Sequence, residues 1–136
     1  MLSRHSGTFS GNPLACAVAI ESLNVILDER LAERSLVLGE RLKERLLAIR
    51  SPHTSVEVTG RGLFACLYID ESHPSGKVTA ARLTALMRKR GVLTFSYANR
   101  LRLAPPLVIS EADLDRAVSI IEGAIHDLVD MDADLS

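Results

Sequence analysis

The chain has 136 residues, 47% hydrophobic and 24% charged, with a net charge of -1. That length and composition fit one soluble globular domain with a core of its own, and exclude a disordered chain. The near-zero balance gives no general attraction to nucleic acid or to an anionic membrane, and no apolar run is long enough to cross a bilayer.

The first helix is expected to start at Asn12 or Pro13, because asparagine caps well and proline at the first helical position loses no needed hydrogen bond. Leu14, Ala17, Val18, Leu23 and Ile26 or Leu27 make it apolar on more than one face, and the pattern breaks near Asp28-Glu29-Arg30. A second helix over 31–49 carries an inner stripe of Leu31, Leu38, Leu42 and Leu46. "SPHTS" at 51–55 ends it. Residues 56–70 then read as one hairpin-like unit. Val56 and Val58 alternate with polar neighbours, Gly60 and Gly62 mark a bend or bulge, and 63–69 is a continuous apolar strand.

A loop over 71–76 leads to an amphipathic helix over 78–90, stopped by Gly91. Its basic end suits the helix dipole, so no nucleic-acid site is read there. A strand over 92–97 and a short strand over 101–104 follow, the second halted by Pro105-Pro106. Ser110 caps a last helix with Asp113 as its capping-box partner, and Leu114, Val118, Ile121, Ile125 and Leu128 keep helical spacing. The tail from Asp130 is expected to fray. The order is α-α-β-β-α-β-β-α, an α+β fold with a small, largely antiparallel sheet packed with helices.

Cys16 and Cys66 lie in apolar runs and read as buried free thiols. The short apolar run 14–20 lacks the flanks of a secretory leader. Together these point to a cytoplasmic protein. His5, His53, His73 and His126 are scattered, so no metal site is expected.

Two segments carry candidate chemistry. "HSGTFSGNP", 5–13, brings hydroxyls and glycines to a helix start, where unpaired N–H groups receive a phosphate well. A capped loop that binds nothing accounts for the same residues. In "RLRLAPPLVIS", 100–110, Arg102 alternates with Leu101 and Leu103, so it faces away from whichever side they face. Arginine holds carboxylates through two parallel N–H bonds. A surface arginine on an edge strand is the plainer reading.

Together, "GTFSGNPLACAVA" and "LRLAPPLVI" resemble the class III pyridoxal-phosphate aminotransferases of fold type I, with "VTGRGLF" at 58–64 and "SEADLD" adding to the likeness. "RLAPPLVI" is most similar to the ornithine aminotransferases of that family, beside the acetylornithine and 4-aminobutyrate enzymes. The resemblance implies pyridoxal 5'-phosphate as cofactor and amino-acid and 2-oxo-acid substrates. Thr8 matches a threonine that donates to the cofactor phosphate of the neighbouring subunit in a dimer. Arg102 matches an arginine near the substrate carboxylate. There are departures: Ser6-Gly7 stands where Gly-Ser is common, Ser10 replaces a glycine, and "TFSYANR" at 94–100 is unlike the usual ornithine-aminotransferase segment.

The family's Schiff-base lysine precedes the threonine motif. Lys43, Lys77 and Lys89 do not match it, so no catalytic residue is assigned within the chain. The resemblance therefore implies a C-terminal part of an aminotransferase. Residues 1–30 would be a phosphate-contacting loop and crossover helix, and 31–136 a small C-terminal domain. Its expected partner is an N-terminal aminotransferase half or a second copy in a homodimer. An acetylornithine or other ω-amino-acid enzyme, or a non-catalytic dimerising remnant, shares the same residues.

Overall fold

The computed structural model describes residue 7 and residues 10–131. The elements follow the expected order: α1 (Pro13–Asp28), α2 (Leu31–Ala48), β1 (Val56–Arg61), β2 (Phe64–Ile69), α3 (Ala80–Lys89), β3 (Phe95–Tyr97), β4 (Arg100–Leu103) and α4 (Glu111–His126). The helix starts follow from their caps. Asn12 Oδ1 accepts from the N–H groups of Leu14 and Ala15, and the hydroxyls of Thr79 and Ser110 accept from Arg82 and Asp113. Helix α3 ends with Gly91 at a φ of 91°, a left-handed position that suits glycine.

The four strands form one antiparallel sheet in the order β1-β2-β4-β3. Its buried side carries Val58, Ala65, Leu67, Ile69, Leu101 and Leu103. Helix α2 covers β1 and β2, α3 covers β3 and β4, and α4 packs on both helices. Leu38, Leu42 and Leu46 of α2, Leu114, Val118, Ile121 and Ile125 of α4, and Leu128 just past it are buried in this core, together with Leu83, Leu86 and Met87 of α3; Leu31 is buried at the start of α2. The fold is the expected α+β fold, and the described helices that contact the sheet, α2 and α3, cover its buried side.

Two details differ from the sequence reading. Leu63 is not in a strand: Arg61 pairs with Phe64, and Gly62-Leu63 forms a two-residue hairpin loop. Gly62 takes a φ of 57°, which suits the first central position of such a loop. The strand expected from 92 starts only at Phe95. The N–H of Val92 still bonds the carbonyl of Met87, so that stretch is finishing the end of α3.

Helix α1 stands apart from the core. It packs against α2, yet none of its residues is buried. Leu14, Val18, Ile20, Leu23 and Leu27 are exposed. Arg30, in the left-handed region at a φ of 50°, turns the chain between α1 and α2. No described helix is long and apolar enough to cross a membrane.

Candidate functional site

The site is built on β4. Period-two alternation sends Leu101 and Leu103 into the core and leaves Arg102 exposed on the opposite side. β4 lies between β2 and β3, so Arg102 sits on an inner strand and not on an edge. The ladder aligns Thr59, Cys66, Arg102 and Phe95 in one row across all four strands. The Thr94 hydroxyl donates to the carbonyl of Arg102, and Pro105 begins the rigid exit from the strand. The backbone that carries the guanidinium is therefore held on both sides.

Two further rows flank this one on the same open face. Two residues along lie Glu57, Tyr68, Arg100 and Tyr97. The Arg100 guanidinium is 5.4 Å from the Tyr97 ring centre and 5.9 Å from that of Tyr68, within cation–π range of both. In the other direction Arg61 pairs with Phe64, whose ring is exposed. Among the described residues, Arg61, Arg100 and Arg102 bond no carboxylate or carbonyl. Arginines elsewhere do. Arg41 and Arg45 grip Asp115 between α2 and α4 at 2.5 and 2.7 Å. The Arg45 bond, helped by Arg41, holds the Asp115 carboxyl below its ordinary range against a smaller opposing effect of burial. Arg41 is correspondingly raised, chiefly by its bond to Asp115.

The sequence reading found Arg102 and missed Arg61 and Arg100. The parity that places Arg102 outside places Arg100 there too, so that signal was present. Arg61 needed the hairpin register.

Thr8 lies outside the described residues. The start of α1 is described and offers little to a phosphate. Pro13 has no N–H, Leu14 and Ala15 donate to Asn12 Oδ1, and Cys16 donates to the Asn12 carbonyl.

The lysines are placed away from Arg102. Lys77 donates to the Val129 carbonyl at 3.1 Å, Lys43 lies in α2 and Lys89 ends α3. No lysine among the described residues lies on a strand. The described residues thus fit a carboxylate at Arg102 but do not by themselves form a site for pyridoxal phosphate.

The thiols are not buried as expected. Cys16 is exposed because α1 buries no face, and Cys66 is half-buried because it points to the open side of β2. Among the described residues no cluster of three metal-ligating side chains occurs.

Fold and face together define an α+β domain whose open sheet face presents an exposed arginine on an inner strand, a group suited to a carboxylate. The chain belongs to the class-III aminotransferase family, whose model matches residues 1–125. It is 43% identical over 129 residues to ornithine aminotransferase car2 of Schizosaccharomyces pombe, covering 94% of this chain and 29% of that protein. It is 43% identical over 123 residues to ornithine aminotransferase of Bacillus subtilis, covering 90% and 29%. Among solved structures, acetylornithine aminotransferase from Elizabethkingia anophelis superposes with a TM-score of 0.75 at 35% identity, covering 92% of this chain and 33% of that one. Ornithine aminotransferase from Plasmodium yoelii gives 0.76 at 28% identity, covering 92% and 32%. The chain thus spans 29% of the length of these curated relatives.

Proposed function

We propose that this chain is the C-terminal part of a pyridoxal-phosphate-dependent aminotransferase. The reaction is ornithine plus a 2-oxo acid to glutamate semialdehyde plus an amino acid. Activity requires an upstream half that carries the Schiff-base lysine. The observation that carries this reading is Arg102: exposed on an inner strand, backbone-anchored, with no carboxylate partner among the described residues.

Each residue has a defined task. Arg102 accepts the substrate carboxylate in a two-pronged grip, a geometry that lysine does not reproduce. Phe95 and Cys66 flank it across the ladder and supply apolar sides. They strengthen the charge interaction once a partner excludes water. The Thr8 hydroxyl donates to the cofactor phosphate. When bound in the assembled protein, pyridoxal phosphate supplies the electron sink for amino transfer. The curated relatives at 43% identity support ornithine as donor. Acetylornithine is the second reading, favoured by the solved acetylornithine aminotransferase at 35% identity.

The test is reconstitution. The chain is mixed with a lysine-bearing N-terminal portion of an ornithine aminotransferase, and amino transfer is followed with ornithine and acetylornithine as donors. Transfer above that of the lysine-bearing portion alone is expected, with ornithine preferred. No gain from adding the chain refutes the catalytic reading and leaves a non-catalytic dimerising module.

A further inference from the structure

Elsewhere on the molecule arginines such as Arg41 and Arg90 pair with carboxylates, and Arg82 holds carbonyls. Arg61 and Arg100 do neither among the described residues, and both stand on the open sheet face. Each has aromatic company: Phe64 opposite Arg61, and Tyr68 and Tyr97 beside Arg100. Glu57 is the face's only carboxylate among the described strand residues. The face therefore combines three guanidiniums and one carboxylate with exposed rings of Phe64, Phe95 and Tyr97.

We infer that this face is a docking surface for an acidic polypeptide segment, gripped at its two ends by Arg61 and Arg100. The segment roofs the Arg102 row between them. That this segment belongs to the complementary aminotransferase half rests on the reading above. Its chemistry rests on the face itself. The argument is charge complementarity joined to spacing. From Arg61 to Arg100 is four residues along the ladder and two strands across. At about 3.4 Å per residue and about 4.8 Å per strand, that diagonal is about 17 Å between the two backbone positions. Side chains of an extended segment alternate in direction, so two carboxylates four residues apart, about 14 Å, face the same side; with apolar residues between them they match the two arginines and the intervening rings, the long arginine side chains spanning the remainder. A single nucleic-acid strand also favours arginines and aromatic rings. It is the poorer fit here, because the strands contribute no lysine and the chain carries a net charge of -1.

The test uses the chain as it is and a labelled pentapeptide with glutamate at each end and leucine and phenylalanine between, read by fluorescence anisotropy. The comparison ligands are the same peptide with glutamines and an oligo(dT) of matched length. The acidic peptide is expected to bind at least about fivefold more tightly than its neutral form, with the difference falling as salt rises. Arg61→Gln and Arg100→Leu are each expected to weaken binding about three- to fivefold, the upper range for an exposed ion pair. Arg61→Lys keeps most of the affinity, and Lys89→Gln, a charge lost from the end of α3, changes nothing. Circular dichroism confirms that the variants fold. Equal binding of the neutral peptide, indifference to both arginine substitutions, no binding, or tighter binding of oligo(dT) each overturns the inference. None of these results bears on amino transfer, which the reconstitution above measures separately.

Discussion

Gly39→Ala should destabilise the chain although alanine is the better helix former. Gly39 is buried in α2 at the point where the helix crosses the β1–β2 turn. A Cβ built there would lie 2.3 Å from the Gly62 carbonyl carbon and 2.4 Å from its Cα and oxygen. Ordinary contact begins at 3.4 Å, so helix and turn must separate by about 1 Å, and the obstacle is backbone that cannot rotate away. Overpacking of this kind costs about 1–3 kcal/mol. The separation also breaks the 3.0 Å bond from the Leu63 N–H to the Ser35 hydroxyl, worth about 1 kcal/mol. Helix propensity returns about 1 kcal/mol. The net loss is about 2 kcal/mol, which lowers the urea midpoint by about 1 M at an ordinary m-value. Equilibrium urea unfolding followed by circular dichroism measures it. An unchanged or higher midpoint would show that α2 does not lie against the turn as described, and with it the seat of the β1–β2 hairpin under Arg61 would be wrong.

Four other outcomes are expected. Ala98 is the first central residue of the β3–β4 turn at a φ of 51°, so Ala98→Gly should raise stability by about 0.5–1 kcal/mol, seen as a higher urea midpoint. Asp115 has a folded pKa below its unfolded value, so the stability from its arginine grip is present above about pH 4 and lost as pH falls through the lower folded value. Asp115→Asn should therefore flatten the acid limb of a plot of urea midpoint against pH, and an unchanged limb would remove that role. In the native chain both thiols should react with an aromatic disulfide reagent, Cys16 ahead of the half-buried Cys66, whereas protection of both until unfolding would restore buried thiols. The exposed apolar residues of α1 should bind ANS and drive self-association in light scattering, and Leu14→Ser with Leu23→Ser should reduce both; a clean monomer without ANS binding would contradict this exposure.

Local chemistry was legible in the residues. Asn12, Thr79 and Ser110 announce helix starts through side chains that accept backbone N–H groups, and Leu101-Arg102-Leu103 sets the direction of Arg102 by parity alone. What depends on distant pairing was not legible. That β4 is an inner strand follows from its bonds to β2, 30 and more residues away, so Arg102 looked like an edge residue. Cys66 sits in an apolar run, but apolar runs do not say which of two faces is covered, and here only one is. The same gap hid Arg61, whose relation to Arg102 exists only in the register, whereas Arg100 shares the parity of Arg102 on one strand. Cys16 misled for a different reason: α1 is apolar without a covering partner in this chain, and composition alone cannot distinguish that from burial.

In the proposed function Arg102 forms the carboxylate-binding wall of a site completed by other polypeptide. The most direct measurement is the KM for the 2-oxo acid in the reconstituted mixture, with wild-type chain and with Arg102→Lys. Loss of a two-pronged charge-assisted grip worth about 1.5–3 kcal/mol predicts a rise of about tenfold or more in that KM, with the chain's fold and its association with the other half unchanged. A mixture that transfers amino groups with the same KM in both cases would show that the guanidinium at 102 does not hold the substrate.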